Sequence, residues 1–160
     1  ERYPHLRVLV LGQGDLESEL RTLADTLRIS ALVYFAGFRP DMPRCTQAFD
    51  IGVLPSIDCD TSSFSLKEEM AAEKPIVASD HGGLPEIISD GVEGFVVPAG
   101  TVEPLTRSLE RLLEDADLRK RMGGAGRQRV LKDFSVQVFA QRTVEAYYHA
   151  LEAHRERTAS

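Results

Sequence analysis

The chain has 160 residues, a formal net charge of −6, 42% hydrophobic and 28% charged residues. That length fits one domain, 1–160, large enough to bury its own core. The acidic balance excludes a nucleic-acid-binding surface, which needs clustered Lys and Arg, and a face that grips anionic membrane unaided.

The two cysteines, Cys45 and Cys59, lie 14 positions apart with no CxxC and no Cys/His cluster. Neither a disulfide framework nor a zinc site is expected, and a reduced cytoplasmic protein is the default. No apolar run approaches the ~20 residues of a membrane span, so no direct membrane insertion is expected. No signal peptide opens the sequence.

In chain order, strand signals are short β-branched runs at Leu6–Leu11, Leu32–Ala36, Ile51–Leu54, Pro75–Ser79 and Gly94–Val97. Most are nearly continuous apolar stretches, which suits a parallel sheet covered on both faces. Helical periodicity lies between and after them. Leu16, Leu20, Leu23 and Leu27 make one helix stripe. Leu105, Leu109 and Leu112 make a second within 102–114, and further helices are expected at 117–132 and about 136–155. The last helix carries Ala140, Val144, Tyr147 and Leu151 on one side. Residues from His154 onward are polar and are expected to fray. Strands alternating with helices predict an α/β, Rossmann-like, doubly wound parallel sheet.

In such sheets ligands bind beyond the carboxyl ends of the strands. After the first strand, Gly12-Gln13-Gly14 lacks the third glycine of a dinucleotide fingerprint, because Glu17 stands there. It reads as a tight turn, not an NAD site. After the third strand, PSIDCDTSSFSLKEEMAA runs from Pro55 to Ala72. A helix begins near Phe64 or Ser65, with Ser62 or Ser63 as its N-cap. The N–H groups at such a helix start suit a diphosphate, although a plain cap is the bland alternative. Asp60 and Glu68, with seven residues between them, are placed to face one crevice. A carboxylate can accept two hydrogen bonds from a vicinal diol, and a second can favour positive charge at an anomeric carbon. Two solvated acids would look the same. Asp58-Cys59-Asp60 matches a short metal-diphosphate pattern without a further ligand cluster, so no metal is expected. After the fourth strand, His81-Gly82-Gly83 is either a pocket-lining loop or a turn. His5, His149 and His154 read as surface residues.

The ordered series GQGDLESELRTLA, VYFAGF, FDIGVLPS and LKEEMAAEKPIVASDHGGLPEIISDGVEGFVVPAG, followed by two helices and the Phe134-Ser135 step, resembles retaining GT-B glycosyltransferases. The likeness runs from about Leu6 to Tyr148. It implies the C-terminal, donor-binding half of that two-domain fold. It also implies transfer of a sugar from a nucleotide-diphospho-sugar to a hydroxyl with retention, with no cofactor. Glu68 matches the family acid that binds the ribose hydroxyls, and Asp60 the acid that contacts the donor sugar. Ser63, Phe64, Ser65 and Leu66 match the segment that receives the diphosphate. Gly37 and Phe38 match the loop beside the base, and His81, Gly82 and Gly83 a pocket-lining loop.

Three departures from the family pattern stand out. Asp60 is one methylene shorter than the family Glu. Thr61-Ser62-Ser63-Phe64-Ser65 replaces a glycine-rich stretch, with one residue inserted before Asp60. The family's opening strand and helix, which supply an Arg and a Lys to the phosphates, and its N-terminal acceptor domain lie outside these residues. The isolated chain is therefore expected to be inactive, and the exposed strand edges invite self-association. The alternatives are a non-catalytic nucleotide-binding or interaction module, or an epimerase or phosphorylase on the same architecture. For a phosphorylase, Lys67 and Lys74 lack a pyridoxal-binding context.

Overall fold

The computed structural model describes residues 2–58 and 63–158. The chain divides into two compact units, Glu1–Phe49 and Asp50–Ser160.

The first unit holds β1 (Val8–Leu11), α1 (Glu17–Thr26), a single 3-10 turn at Ser30–Leu32, β2 (Val33–Gly37) and the short α2 (Met42–Cys45). β1 and β2 pair in parallel, Val8 with Val33 through Leu11 with Gly37. The core here is thin. On α1 only Ala24 is buried, while Leu16, Leu20, Leu23 and Leu27 stay 45–61% exposed. The leucine stripe read from the sequence is present but uncovered.

The second unit holds β3 (Gly52–Leu54), α3 (Phe64–Ala71), β4 (Ile76–Ser79), α4 (Leu84–Ile87), β5 (Gly94–Val97), α5 (Val102–Glu114), α6 (Ala116–Asp133) and α7 (Val136–Thr158). Its sheet is parallel in the order β3-β4-β5. β4 is buried along its whole length, and its alternation explains the unbroken apolar run. Ile76 and Ala78 join Leu66, Met70, Leu84, Ile87 and Ile88 on one face. Val77 joins Phe95, Val97, Leu112, Leu118 and Met122 on the other. Helices therefore cover both faces, as doubly wound topology requires. Each fully buried aliphatic side chain contributes roughly 1.5–3 kcal/mol.

α6 serves both layers: Leu118 and Met122 join one cluster, and Val130 packs against the other. It carries Gly123 and Gly126 on its buried side. A Cβ on Gly123 would overlap the carbonyl oxygen of Glu73, just past the end of α3. The glycine allows α6 to approach α3 at backbone distance, which offsets its poor helix propensity.

The last helix continues to Thr158, beyond the His154 at which fraying was expected. Arg155, Glu156 and Arg157 are good helix formers, and Arg157 Nε donates to the Ala153 carbonyl at 3.1 Å.

Candidate functional site

The candidate residues of the second unit gather on the segments that leave the carboxyl ends of β3 and β4. β3 ends at Leu54, and the chain turns outward through Pro55 to Asp58. Asp60, the first acid of the expected pair, lies outside the described residues, as do Cys59, Thr61 and Ser62.

The chain is described again at Ser63, which is the N-cap of α3. Its extended backbone (φ −62°, ψ 116°) turns the Oγ back to accept the Leu66 N–H at 3.2 Å. A side-chain oxygen in that position satisfies one of the unpaired N–H groups of the first turn. Of the two cap candidates, Ser63 takes the role. Its Oγ also lies 2.9 Å from Ser65 Oγ. Leu66 is fully buried and pins the helix start to the core, whereas Phe64 is 78% exposed beside it. Lys67 Nζ sits 5.3 Å from the Phe64 ring and 5.2 Å from the Phe134 ring. A buried leucine, two hydroxyls and an exposed aromatic thus surround one helix N-terminus, where the helix dipole favours an anion.

Glu68 follows one turn in and is exposed. Glu69 turns away from it toward the core, since successive helical side chains diverge by about 100°. It is buried (7% exposed), and its Oε2 has no hydrogen-bond partner. Burial, and secondarily the neighbouring Glu68 charge, push its carboxyl up to about 8. It is therefore a neutral acid at neutral pH. Glu69 was not singled out from the sequence. The signal was its place between Leu66 and Met70 on the i, i+3, i+4 face.

β4 ends at Ser79, and His81-Gly82-Gly83 leads into α4. Gly82 has φ 57°, a left-handed conformation natural to glycine. This loop is anchored on both flanks. Ser79 Oγ donates to the Ser56 carbonyl at 2.6 Å, across to the segment after β3. Asp80 N–H donates to the Val97 carbonyl at 2.8 Å, and Asp80 Oδ1 accepts the Ala99 N–H at 2.7 Å.

In the first unit, Gly37 ends β2 and Phe38 follows it. Gly37 has φ 65° and Phe38 is exposed. Beyond them Arg39 and Asp41 form a two-bond ion pair at 2.9 Å. The Arg39 hydrogen bond holds the Asp41 carboxyl below its ordinary value. Among the described residues no group of His, Cys, Asp and Glu is arranged to hold a metal. The Asp58-Cys59-Asp60 pattern lies partly outside them. No helix among the described residues is long and apolar enough to cross a membrane.

A parallel sheet with helices on both faces, a capped helix start at its carboxyl edge and an exposed acid one turn in agree with what the chain is similar to. The model of the family "Glycosyl transferases group 1" matches residues 1–129. EpsD of Bacillus subtilis, assigned as a glycosyltransferase, is 36% identical over 132 residues, 82% of this chain and 34% of EpsD. Anabaena HepE, solved in complex with UDP-glucose, superposes with a TM-score of 0.85 at 24% identity, covering 91% of this chain and 42% of HepE. The C-terminal domain of a glycosyl transferase group 1 protein from Francisella tularensis superposes with a TM-score of 0.73 at 23% identity, covering 84% of this chain and 73% of that domain. The chain spans about a third of the length of the curated relatives it matches. The chain belongs to the glycosyl transferases group 1 family, and its fold is the Rossmann-like C-terminal half of a GT-B glycosyltransferase.

Proposed function

We propose that this chain supplies the donor site of a retaining glycosyltransferase, which moves a sugar from a nucleotide-diphospho-sugar to a hydroxyl acceptor. The observation that carries the reading is the N-terminus of α3. It is capped by Ser63, stands at the carboxyl edge of a parallel sheet, and has Glu68 exposed one turn in. Anabaena HepE has been solved with UDP-glucose, and a uridine or guanosine diphosphate sugar is the donor class we assign here.

In this reading the diphosphate lies against the first turn of α3, at residues 64–66, with Ser63 and Ser65 alongside. The helix dipole takes up charge on the departing phosphate, with no metal or cofactor required. Glu68 accepts both ribose hydroxyls, and Asp60 supports the sugar while positive charge develops at its anomeric carbon. His81, Gly82 and Gly83 face the sugar. The acceptor enters from the same side that the diphosphate leaves, so configuration is retained. This chain holds the donor only; the acceptor domain and the phosphate cations belong to chain beyond these residues. Alone, it is expected to transfer nothing, for want of positioning and charge stabilisation. A cytoplasmic enzyme is the assignment that a nucleotide-sugar substrate supports.

The test is calorimetric titration of UDP, GDP and ADP, and their common sugar conjugates, into the intact protein and its Glu68→Ala variant. One diphosphate should bind, and the variant should lose it. Binding without turnover would identify a non-catalytic module on the same fold. No binding by the intact protein would sink the donor-site reading.

A further inference from the structure

We infer that Ser79 and Asp80 are positioning residues of the donor site, a two-residue clamp that holds the 81–83 loop in place from both sides. The inference rests on the donor-site reading above.

The geometry joins three segments at one sheet edge. Ser79 is the last residue of β4 and is 2% exposed. Its hydroxyl donates to the Ser56 carbonyl, 23 residues earlier, at 2.6 Å. That bond fixes the segment leaving β3. Asp80 continues the strand by one backbone bond to Val97, then accepts the Ala99 N–H at 2.7 Å through its carboxylate. That bond fixes the segment leaving β5. A charged acceptor makes a backbone N–H bond roughly twice as strong as a neutral one.

The 81–83 loop begins at the next residue, and it has little to hold it of its own. Gly82 and Gly83 have no side chains, and the loop's backbone bonds run onward into α4, from Leu84 N–H to the His81 carbonyl at 3.2 Å and from Glu86 N–H to the Gly83 carbonyl at 3.1 Å. Glycine loses more backbone freedom on ordering than any other residue, and two stand side by side here. A loop of that kind keeps one conformation only if its ends are fixed from outside. Ser79 and Asp80 fix the leading end, and the buried Leu84 fixes the trailing end. The side-chain bonds of Ser79 and Asp80 go to Ser56 and Ala99, and the loop they hold is the one assigned to the sugar, so the clamp is read as acting on the sugar side of the site. A catalytic constellation held this way loses turnover when its support loosens, even though nothing that touches substrate has changed.

The test uses the intact protein with Ser79→Ala, Asp80→Ala and Asp80→Asn. Asn keeps an oxygen that can accept from Ala99, so it is the conservative variant. The measurements are kcat and KM for the nucleotide-sugar, and the Kd of the nucleoside diphosphate alone. Ser79→Ala and Asp80→Ala should each lower kcat/KM roughly tenfold, the loss of about one hydrogen bond's worth of support. The diphosphate Kd should stay within about twofold, and Asp80→Asn should recover most of the lost kcat/KM. Equal losses in kcat/KM and in diphosphate affinity, or unchanged kinetics in all three variants, would overturn the clamp. Wild-type protein that binds no nucleotide-sugar would sink the donor-site reading and the clamp with it, and that result is read without any variant.

Discussion

The carboxyl of Glu69 lies against the Cα of Gly52. A Cβ at position 52 would overlap Glu69 Oε2 and stand 2.9 Å from its Cδ and 2.8 Å from Ile76 Cδ1. The missing side chain at the start of β3 and the buried acid on α3 are therefore a matched pair. The acid is kept neutral, its pKa raised from an ordinary 4.5 to about 8 chiefly by burial. A raised carboxyl binds its proton in the folded state while the unfolded state has already released it. Folding stability should then fall as pH rises from about 4.5 to about 8, with a slope of up to about 1.4 kcal/mol per pH unit. Glu69→Gln should remove most of that slope and leave the protein more stable at pH 8. Urea melts at pH 5, 6.5 and 8 measure it; parallel curves for the two proteins would show that the carboxyl is charged when folded.

Ser63 combines a structural and a binding role that one substitution can separate. Loss of an N-cap oxygen costs about 1 kcal/mol, which corresponds to about 2–4 °C in Tm for a chain of this size. Ser63→Ala should show that drop. Ser63→Asp retains the cap but sets a negative charge where the diphosphate is expected. It should keep the Tm near wild type and weaken diphosphate binding more than Ser63→Ala does. If Asp and Ala weaken binding equally, the α3 start is not the diphosphate site.

The parts that were legible in the sequence are those fixed by local pattern. β4 reads as a buried strand because Ile76, Val77, Ala78 and Ser79 all face protein. The start of α3 reads from serines ahead of an apolar-periodic run. The family motifs read because a capped helix at a sheet edge demands the same residue types in the same order. What was not legible depends on what covers a surface. Leucines 16, 20, 23 and 27 announce an apolar face, and periodicity cannot say whether anything lies on it; here nothing does among the described residues. Glu69 shares a helix face with Leu66 and Met70, yet an acid is not counted in an apolar stripe. Its burial depends on Gly52, 17 positions away in sequence and adjacent only after folding. Ser79 and Asp80 were passed over because their partners, Ser56 and Ala99, are set by strand register.

Arg129 ties α6 to the segment before β5. Its Nη1 lies 3.2 Å from Glu93 Oε1 and 2.7 Å from Ser89 Oγ, and its Nη2 donates to the Glu86 carbonyl at 2.9 Å. Glu93 is 5% exposed and also accepts the Ser89 N–H at 2.7 Å. Arg129→Met would leave a buried carboxylate without its cation. The cost should be about 2–3 kcal/mol, below that of a fully buried pair because the guanidinium is partly solvated. The double variant with Glu93→Gln should cost less than the sum of the singles. Additive losses in denaturant melts would show that the two side chains do not couple.

Two neighbouring glycines of α6 should respond with opposite sign to the same change. At Gly123 a new Cβ would meet the Glu73 backbone, with the carbonyl carbon 2.6 Å away, and backbone cannot rotate aside as a side chain can. At Gly124 nothing lies within 4 Å. Alanine gains about 1 kcal/mol of helix propensity over glycine at either position. At 124 that gain stands alone, and Gly124→Ala should raise stability by up to that amount. At 123 it is outweighed by forcing α6 away from α3, a change that typically costs about 1–3 kcal/mol and here acts on backbone. Gly123→Ala should therefore lower Tm while Gly124→Ala raises it. Matched thermal melts decide the matter: a rise at both positions would mean that α6 does not approach α3 at backbone distance.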